Sequence, residues 1–316
     1  MSTVLKLTNL EVDFQVNGNI VNSPLRGINL EIKAGKTLGI VGETGCGKTL
    51  TAMAIMGLLP TSAVQRGVIE FTGHGHVANS DMATIRGSQI TMIFQNPASA
   101  FNPIFTIGAQ LKMVAQRREI ARREIASLLT TRLTSVGLKD TKRILNSYPH
   151  ELSGGMLQRC MIAMALLSSP KLLIADEPTT ALDATIGDQV LELIAALQKR
   201  EGFAMLFISH DVSAVAKISD EIAVVYAGRV VEVGPTDDLL NSAQHPYTKG
   251  LLGAIPSADK PRGTLVAIPG NVPSVLTSIV GCSFAQRCSK RIEICSDEPP
   301  VLIINNQSVA CWRAGQ

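Results

Sequence analysis

The stretch Gly42-Glu43-Thr44-Gly45-Cys46-Gly47-Lys48-Thr49 restricts the possible folds of this chain more than any other. It matches the phosphate-cradling pattern G-x-x-x-x-G-K-[ST]. The apolar run Leu38-Gly39-Ile40-Val41 before it reads as a strand, and Leu50–Leu59 after it reads as a helix. Strand, glycine loop and helix in succession give the motif a mechanism. The glycines let backbone N–H groups turn inward on phosphate oxygens, and the helix N-terminus adds partial positive charge. Lys48 is placed to reach the β- and γ-phosphates, and the Thr49 hydroxyl to hold Mg²⁺.

Bulk properties set the frame for that motif. With 316 residues the chain has room for one large domain with an appendage, or for two domains. Net charge is +3 and aromatics are 4%, so neither bulk charge nor a base-stacking platform points to nucleic acid. The N-terminus lacks a basic stretch followed by an apolar one, and no apolar run approaches the ~20 residues that span a bilayer. A soluble or peripheral protein is expected, with any membrane role supplied by a partner.

Along the chain, Val4–Leu7, Leu10–Val16 and Ile28–Ile32 read as short strands, with a turn at Asn17-Gly18. Met92-Ile93-Phe94-Gln95 ends a strand, and Asn96-Pro97 breaks it. Arg117–Val136 has helical periodicity and many charges, as a surface subdomain would. Leu157–Leu167 and Gln189–Arg200 read as helices, Leu172–Ala175 and Ala204–Ser209 as buried strands. Strands alternating with helices predict a parallel sheet covered on both faces. Ile222–Tyr226 and Arg229–Val233 flank Ala227-Gly228 as a hairpin, and a boundary falls near 235–258, where Pro, Gly and Cys increase.

Further groups converge on phosphate chemistry. Leu172–Glu177 is a buried strand that delivers Asp176 and Glu177 at its carboxyl end, where nucleotides sit in parallel sheets. Asp176 suits a Mg²⁺ water shell, and Glu177 suits a general base for the attacking water. Alone, the pair is also what a solvated strand end looks like. Leu152-Ser153-Gly154-Gly155-Met156 opens a helix with a hydroxyl and bare N–H groups, which is either a second anion site or an ordinary capped helix. A second such site in one chain is economical if it serves a nucleotide held by another subunit. Gln95 can touch Mg²⁺ and the water, and His210 after its strand can hydrogen-bond the γ-phosphate.

In this order, these motifs resemble those of the ATP-binding subunits of ABC transporters. The stretches Met92–Pro97, Tyr148–Met156 and Ala175–Asp183 are similar to the oligopeptide/dipeptide/nickel importers, and within them to the first of two paired ATPases. His245–Leu252 and Ile268-Pro269-Gly270 are similar to that family's C-terminal extension. The resemblance implies an α/β P-loop NTPase fold of ABC type, with a mixed sheet core, a helical subdomain at about 96–160 and an antiparallel β-subdomain. It places this domain at 1–235 and a small Cys-containing domain at 236–316. It implies ATP bound by Gly42 to Leu50, Mg²⁺ held by Thr49, Gln95 and Asp176, and catalysis by Glu177, His210, Gln95 and Lys48. Ser153, Gly154, Gly155 and Met156 would meet the nucleotide of an opposing subunit, with Asp183 in the intervening turn. Leu50, Met156 and Cys46 depart from the common ABC residues. Phe14 is the candidate for stacking on adenine and equally an ordinary core residue.

The implied partners are a sister ATPase forming a heterodimer, two transmembrane permease subunits and an extracytoplasmic solute-binding protein. The implied location is the cytoplasmic face of the inner membrane. The implied activity is ATP hydrolysis driving import of peptide or, alternatively, nickel. A soluble ABC ATPase of DNA repair or translation would show paired cassettes or a long coiled-coil insertion. A non-hydrolytic regulatory subunit would have lost Glu177 or His210, and a metal-binding module with a vestigial ATPase would have lost the phosphate motifs.

Of six cysteines, Cys46 and Cys160 are isolated, while Cys282, Cys288, Cys295 and Cys311 cluster near the C-terminus. Their spacing does not fit common paired zinc folds. Four thiolates suit a [4Fe–4S] cluster or Zn²⁺, and free or disulfide-bonded cysteines stay open as a third state. In the resembled family, Gly281-Cys282-Ser283-Phe284-Ala285-Gln286-Arg287-Cys288 matches a segment that binds such a cluster in some members.

Overall fold

The computed structural model describes residues 2–78, 81–117, 120–255, 268–273 and 279–316. The end of the boundary region, at 256–258, lies outside them. The chain divides into two compact units. The first comprises residues 1–2, 34–36 and 80–206, and the second 3–33, 37–79 and 207–316.

The first unit is mostly helical. Strands Ile90–Ile93 and Leu172–Asp176 pair in parallel, and both are buried throughout. Continuous apolar runs of this kind are what a sheet covered on both faces requires. Around them stand helices Pro97–Ala100, Ile107–Gln116, Arg122–Ser135, Thr141–Asn146, Gly154–Leu166 and Ala184–Glu201. The last is bounded by local chemistry. Asp183 accepts from the Ile186 N–H at its start, and Gly202 closes it in a left-handed conformation (φ 73°). Lys199 and Arg200 sit in its final turn, where the helix dipole favours cations. Arg132 Nη1 donates to both oxygens of the Glu201 carboxylate, at 2.7 and 2.8 Å, and ties two of the helices together. The charged periodicity expected over Arg117–Val136 forms the helix Arg122–Ser135, because Arg117 already ends the preceding helix.

The second unit holds two sheets. In the first, strands Asn19–Lys33, Thr3–Val16, Ala63–Phe71 and Gly75–His76 are neighbours in that order, all antiparallel. The two short strands expected at Val4–Leu7 and Leu10–Val16 are one strand. The polar Thr8-Asn9 between them is a bulge: the register shifts there, and Asn9 takes φ 49°. In the second sheet, Thr37–Val41 pairs in parallel with Glu221–Tyr226, which forms the expected hairpin with Arg229–Pro235. A further hairpin, Val301–Ile304 with Gln307–Ala310, adds to that edge through Glu232↔Val309 and Val233↔Ser308. Its turn, Asn305-Asn306, has φ 48° and 65°, the left-handed pair that two-residue hairpins need. Thus the described residues beyond 235 belong to the same compact unit as the phosphate loop.

Thr37–Val41 leads directly into that loop, and its seating depends on Gly39. A methyl group there would come 2.2 Å from the Val215 side chain and 2.5 Å from the Ser219 hydroxyl. The helix Val212–Ile218 therefore packs flush on the strand only because residue 39 has no side chain. Gly39→Ala is expected to lower stability by about 1–3 kcal/mol, the usual cost of overpacking. A urea titration followed by circular dichroism checks this by a fall in the unfolding midpoint.

Candidate nucleotide site

The glycine loop lies in the second unit, between Thr37–Val41 and the helix Lys48–Ile55. Gly47 caps that helix at φ 106°, and a Cβ there would meet the Leu25 side chain at 2.6 Å. Gly42 is as constrained, with the Val225 carbonyl 2.2 Å from where its Cβ would be. Gly45 differs: at φ 82° it faces open space, as a cradle for a ligand requires. Lys48 is buried, and its ammonium donates to the carbonyls of Gly42 (2.7 Å) and Glu43 (3.1 Å). The loop thus holds its own cation over its backbone. Thr44 and Thr49 are exposed, and Leu50 is half-buried. Cys46 is buried with its thiol pushed above the ordinary range by desolvation, which nearby Lys48 only partly offsets. A thiol held this way is less open to oxidation, since the thiolate is the reactive form.

The acidic strand lies in the first unit. Asp176 is buried at its carboxyl end, and Glu177 follows at φ 47°, a left-handed conformation that a non-glycine residue adopts only under constraint. The Glu177 carboxylate accepts from the Gln95 side-chain amide (3.0 Å) and from the Thr180 hydroxyl (3.0 Å). Two residues predicted from distant motifs, Gln95 and Glu177, are therefore in direct contact. Gln158 donates to the Pro178 carbonyl at 2.7 Å, anchoring the turn after the acids to the helix Gly154–Leu166.

That helix opens on the serine–glycine tip. Ser153 and Gly154 are exposed, and Gly155 and Met156 half-buried. The Ser153 hydroxyl accepts from the Met156 N–H at 3.4 Å, so it serves as the helix cap. Gly155 has a reason the sequence did not reveal: a Cβ there would come 2.8 Å from the Ile186 side chain, in the helix that Asp183 caps. His210, in the second unit, is exposed just after Ala204–Ile208. Phe14 is half-buried in the antiparallel sheet, opposite Asn22 and Ala63.

Cys282, Cys288, Cys295 and Cys311 form no disulfide, and all line one pocket with His245, Phe284 and Trp312. Burial raises the thiols of Cys282, Cys288 and Cys311. Among the described residues, no three or more Cys, His, Asp or Glu side chains are grouped so as to hold a metal ion. The ligand set expected for a [4Fe–4S] cluster or Zn²⁺ is thus gathered around one cavity without being assembled as an ion site.

Sequence reasoning missed two residues beside the loop. The Tyr247 hydroxyl accepts the Glu43 N–H at 2.9 Å, and Arg287 donates to the Glu43 carboxylate at 2.9 Å. They lie 204 and 244 residues from Glu43 along the chain, and no local pattern announces such pairs.

A glycine loop holding a lysine ammonium, with an acidic strand end in contact with a glutamine, defines a phosphate-binding nucleotide hydrolase of the P-loop class. Comparison with known proteins agrees. The ABC transporter family matches residues 25–180, and the oligopeptide/dipeptide transporter C-terminal region matches residues 231–295. The chain is 42% identical over 327 residues to the dipeptide transport ATP-binding protein DppD of Bacillus subtilis, covering 100% of this chain and 96% of that protein. It is 41% identical over 320 residues to the oligopeptide transport ATP-binding protein OppD of Haemophilus influenzae, covering 100% and 99%. Among solved structures, a dimeric ATP-binding cassette in a post-hydrolysis state with ADP and Pi aligns at TM-score 0.63 and 25% identity, over 73% of this chain and 98% of that one. CbiO1 of Clostridium perfringens aligns at 0.65 and 25% identity, over 77% and 92%. The chain belongs to the ATP-binding subunits of ABC transporters, in their oligopeptide/dipeptide branch, and is an ATPase.

Next to the loop's tyrosine, His245 is buried, and desolvation lowers its imidazole from 6.5 to about 3. Its Nδ1 accepts the Tyr247 N–H at 3.0 Å, which the neutral ring alone can do. Unfolded, the ring takes up a proton near pH 6.5; folded, it resists until about pH 3. Acid therefore favours the unfolded chain, and the contribution of His245, complete above pH 6.5, is lost between pH 6.5 and 3. Urea midpoints measured across that range should fall with pH, and less steeply in His245→Asn, whose side-chain oxygen can accept the same N–H without titrating.

Proposed function

We propose that this chain is the ATP-hydrolysing subunit of a peptide importer, closing on ATP against a sister ATPase. The contact of Gln95 with Glu177 carries the catalytic part of the reading. It holds a carboxylate at a strand end beside an amide that can report what the carboxylate engages. In this reading the loop Gly42 to Leu50, through backbone N–H groups other than that of Glu43, and the Lys48 ammonium take the phosphates. Thr49, Gln95 and Asp176 offer a hydroxyl, an amide oxygen and a carboxylate, a donor set suited to Mg²⁺. When bound, that ion neutralises phosphate charge. Glu177 takes the proton of the attacking water, and His210 steadies the γ-phosphate.

Ser153, Gly154, Gly155 and Met156 present an exposed helix tip to the nucleotide of the opposing subunit, next to Asp183. The dimeric state of a similar cassette bound to ADP and Pi supports this closure. The partner is proposed to be a sister ATPase rather than a second copy, on the resemblance to the paired type. Phe14 is retained as the adenine contact.

Exposed Phe94, just before Gln95, and Ile104, Phe105 and Met113 beyond it, in the first unit, offer an apolar surface for permease subunits at the cytoplasmic face of the membrane. No described helix is long and apolar enough to cross a membrane itself. A solute-binding protein would deliver peptide to the permeases from outside. Peptide is favoured over nickel because the relatives described above are named for oligopeptide and dipeptide transport.

The domain division at 235/236 and the small cysteine-bearing C-terminal domain belong to the same reading. Its four cysteines are proposed to take up a [4Fe–4S] cluster, supported by their shared pocket and the resembled Cys-x₅-Cys segment. Anaerobically purified protein should then carry iron and absorb in the visible. Colourless, iron-free protein rejects the cluster.

Glu177→Gln should bind ATP as the wild type does and lose at least about 100-fold in turnover. Size-exclusion chromatography of the variant with its sister ATPase and Mg·ATP should then show a trapped heterodimer. Unchanged steady-state hydrolysis in this variant rejects the role given to Glu177.

A further inference from the structure

Glu43, inside the glycine loop, is gripped from two directions by the C-terminal part of the same compact unit. Its N–H is taken by the Tyr247 hydroxyl at 2.9 Å, and its carboxylate by Arg287 at 2.9 Å. Neither partner is a surface side chain: Tyr247 is fully buried, and the Arg287 side chain is 7% exposed. Both are themselves fixed. Arg287 donates from Nε to the carbonyl of Pro269 (2.8 Å) and from Nη2 to that of Ile268 (3.2 Å), and its guanidinium lies over Tyr226 and Phe284 at 5.8 and 6.0 Å. The Tyr247 ring packs on Tyr226 and Phe284, with centroids 4.6 and 5.3 Å apart. Three aromatic rings and two backbone carbonyls thus set where Glu43 sits.

The grip acquires its meaning from Lys48. Its ammonium holds the loop through the carbonyls of Gly42 and Glu43. A triphosphate that recruits the ammonium removes those two bonds. Residue 43 then keeps its place only through bonds that do not depend on Lys48. The Glu43 N–H is committed to Tyr247, so this amide serves the shape of the loop, and the amides that face a phosphate come from further along it.

On the reading that this loop binds ATP, we propose that Tyr247 and Arg287 are positioning residues for it. They pin Glu43, so that the cradle stays open when Lys48 leaves its own backbone for the phosphates. Neither touches the nucleotide. Their effect falls on nucleotide affinity and not on the chemical step, which Glu177 and its neighbours carry.

The experiment uses the full-length chain and its variants, with Kd for ADP by calorimetry and KM and kcat for Mg·ATP by phosphate release. Tyr247→Phe keeps the ring and removes only the acceptor. It is expected to raise Kd and KM about fivefold while kcat stays within about twofold. Arg287→Ala is expected to raise both about tenfold, since an ionised pair is lost, and Arg287→Lys to recover part of the loss. In a Glu43→Gln background, Arg287→Ala should add little further, because the pair is already broken. If Arg287→Ala fails to fold, Tyr247→Phe decides alone. Folded Tyr247→Phe with wild-type Kd and KM overturns the proposal, as does a fall in kcat at unchanged KM. A wild-type chain that binds no nucleotide overturns the ATP reading and this proposal together, and that result is visible before any variant is made.

Discussion

The structure turns on a glycine loop whose shape is set by what surrounds it. Backbone N–H groups normally find an acceptor within the protein, so a loop whose amides are to serve a ligand has to be held in shape by its surroundings. Here rigidity comes from exclusion. Gly42 and Gly47 sit so close to the Val225 carbonyl and the Leu25 side chain that no other residue fits, and Gly45 alone faces outward. The buried strand Thr37–Val41 fixes one end, and the helix beginning at Lys48 fixes the other. Lys48 closes the arrangement by bonding back to Gly42 and Glu43, so a cation that a phosphate could claim already serves the loop.

The acidic unit solves a different problem. On the reading proposed for it, the Glu177 carboxylate has to be held in one orientation and still reach a water. Glu177 is half-buried, and its carboxylate accepts from an amide and a hydroxyl, Gln95 and Thr180. Two neutral donors thus fix the direction of the carboxylate. The left-handed backbone at Glu177 indicates that the turn is over-determined by its surroundings, among them the Gln158–Pro178 bond.

Much of this was legible in the sequence because it is encoded locally. The glycine loop, the buried strand ending in Asp176 and Glu177, the Ala227-Gly228 hairpin and the serine-capped helix each rest on residues a few positions apart. What stayed hidden falls into two kinds. Some features were locally encoded but passed over: Asn305-Asn306 between apolar runs is a hairpin signal, and Thr8-Asn9 looked like a strand break although a bulge reads the same in one dimension. Others have no local trace. Gly155 was read as a bare amide for an anion, yet its closeness to Ile186 depends on how two helices pack. The cysteines were read as a metal set from their number. Whether thiols that share a pocket also share an ion depends on side-chain placement, which spacing does not encode, and in the described residues they form no such group.

The Glu43–Arg287 pair shows why a long-range ion pair in such a protein is better understood as geometry than as stability. An exposed pair of this kind is worth ~0–1 kcal/mol, and a buried one can lose more in desolvation than it gains in attraction. With its Arg287 side 7% exposed and its Glu43 side 27% exposed, the pair lies between those limits, so a large net stabilisation is not its natural explanation. Its distinguishing property is direction. Arg287 has a planar fork whose Nε and Nη2 are already fixed on Pro269 and Ile268, so Nη1 donates to the Glu43 carboxylate from one orientation only. Tyr247 supplies the second constraint, since a phenol whose ionisation burial makes harder stays a neutral hydroxyl and keeps its acceptor lone pair turned to the Glu43 N–H. A carboxylate and an amide of one residue, each fixed by a rigid group, define the position of the loop without drawing on Lys48. That independence is what a loop needs if its lysine is to be handed to a ligand.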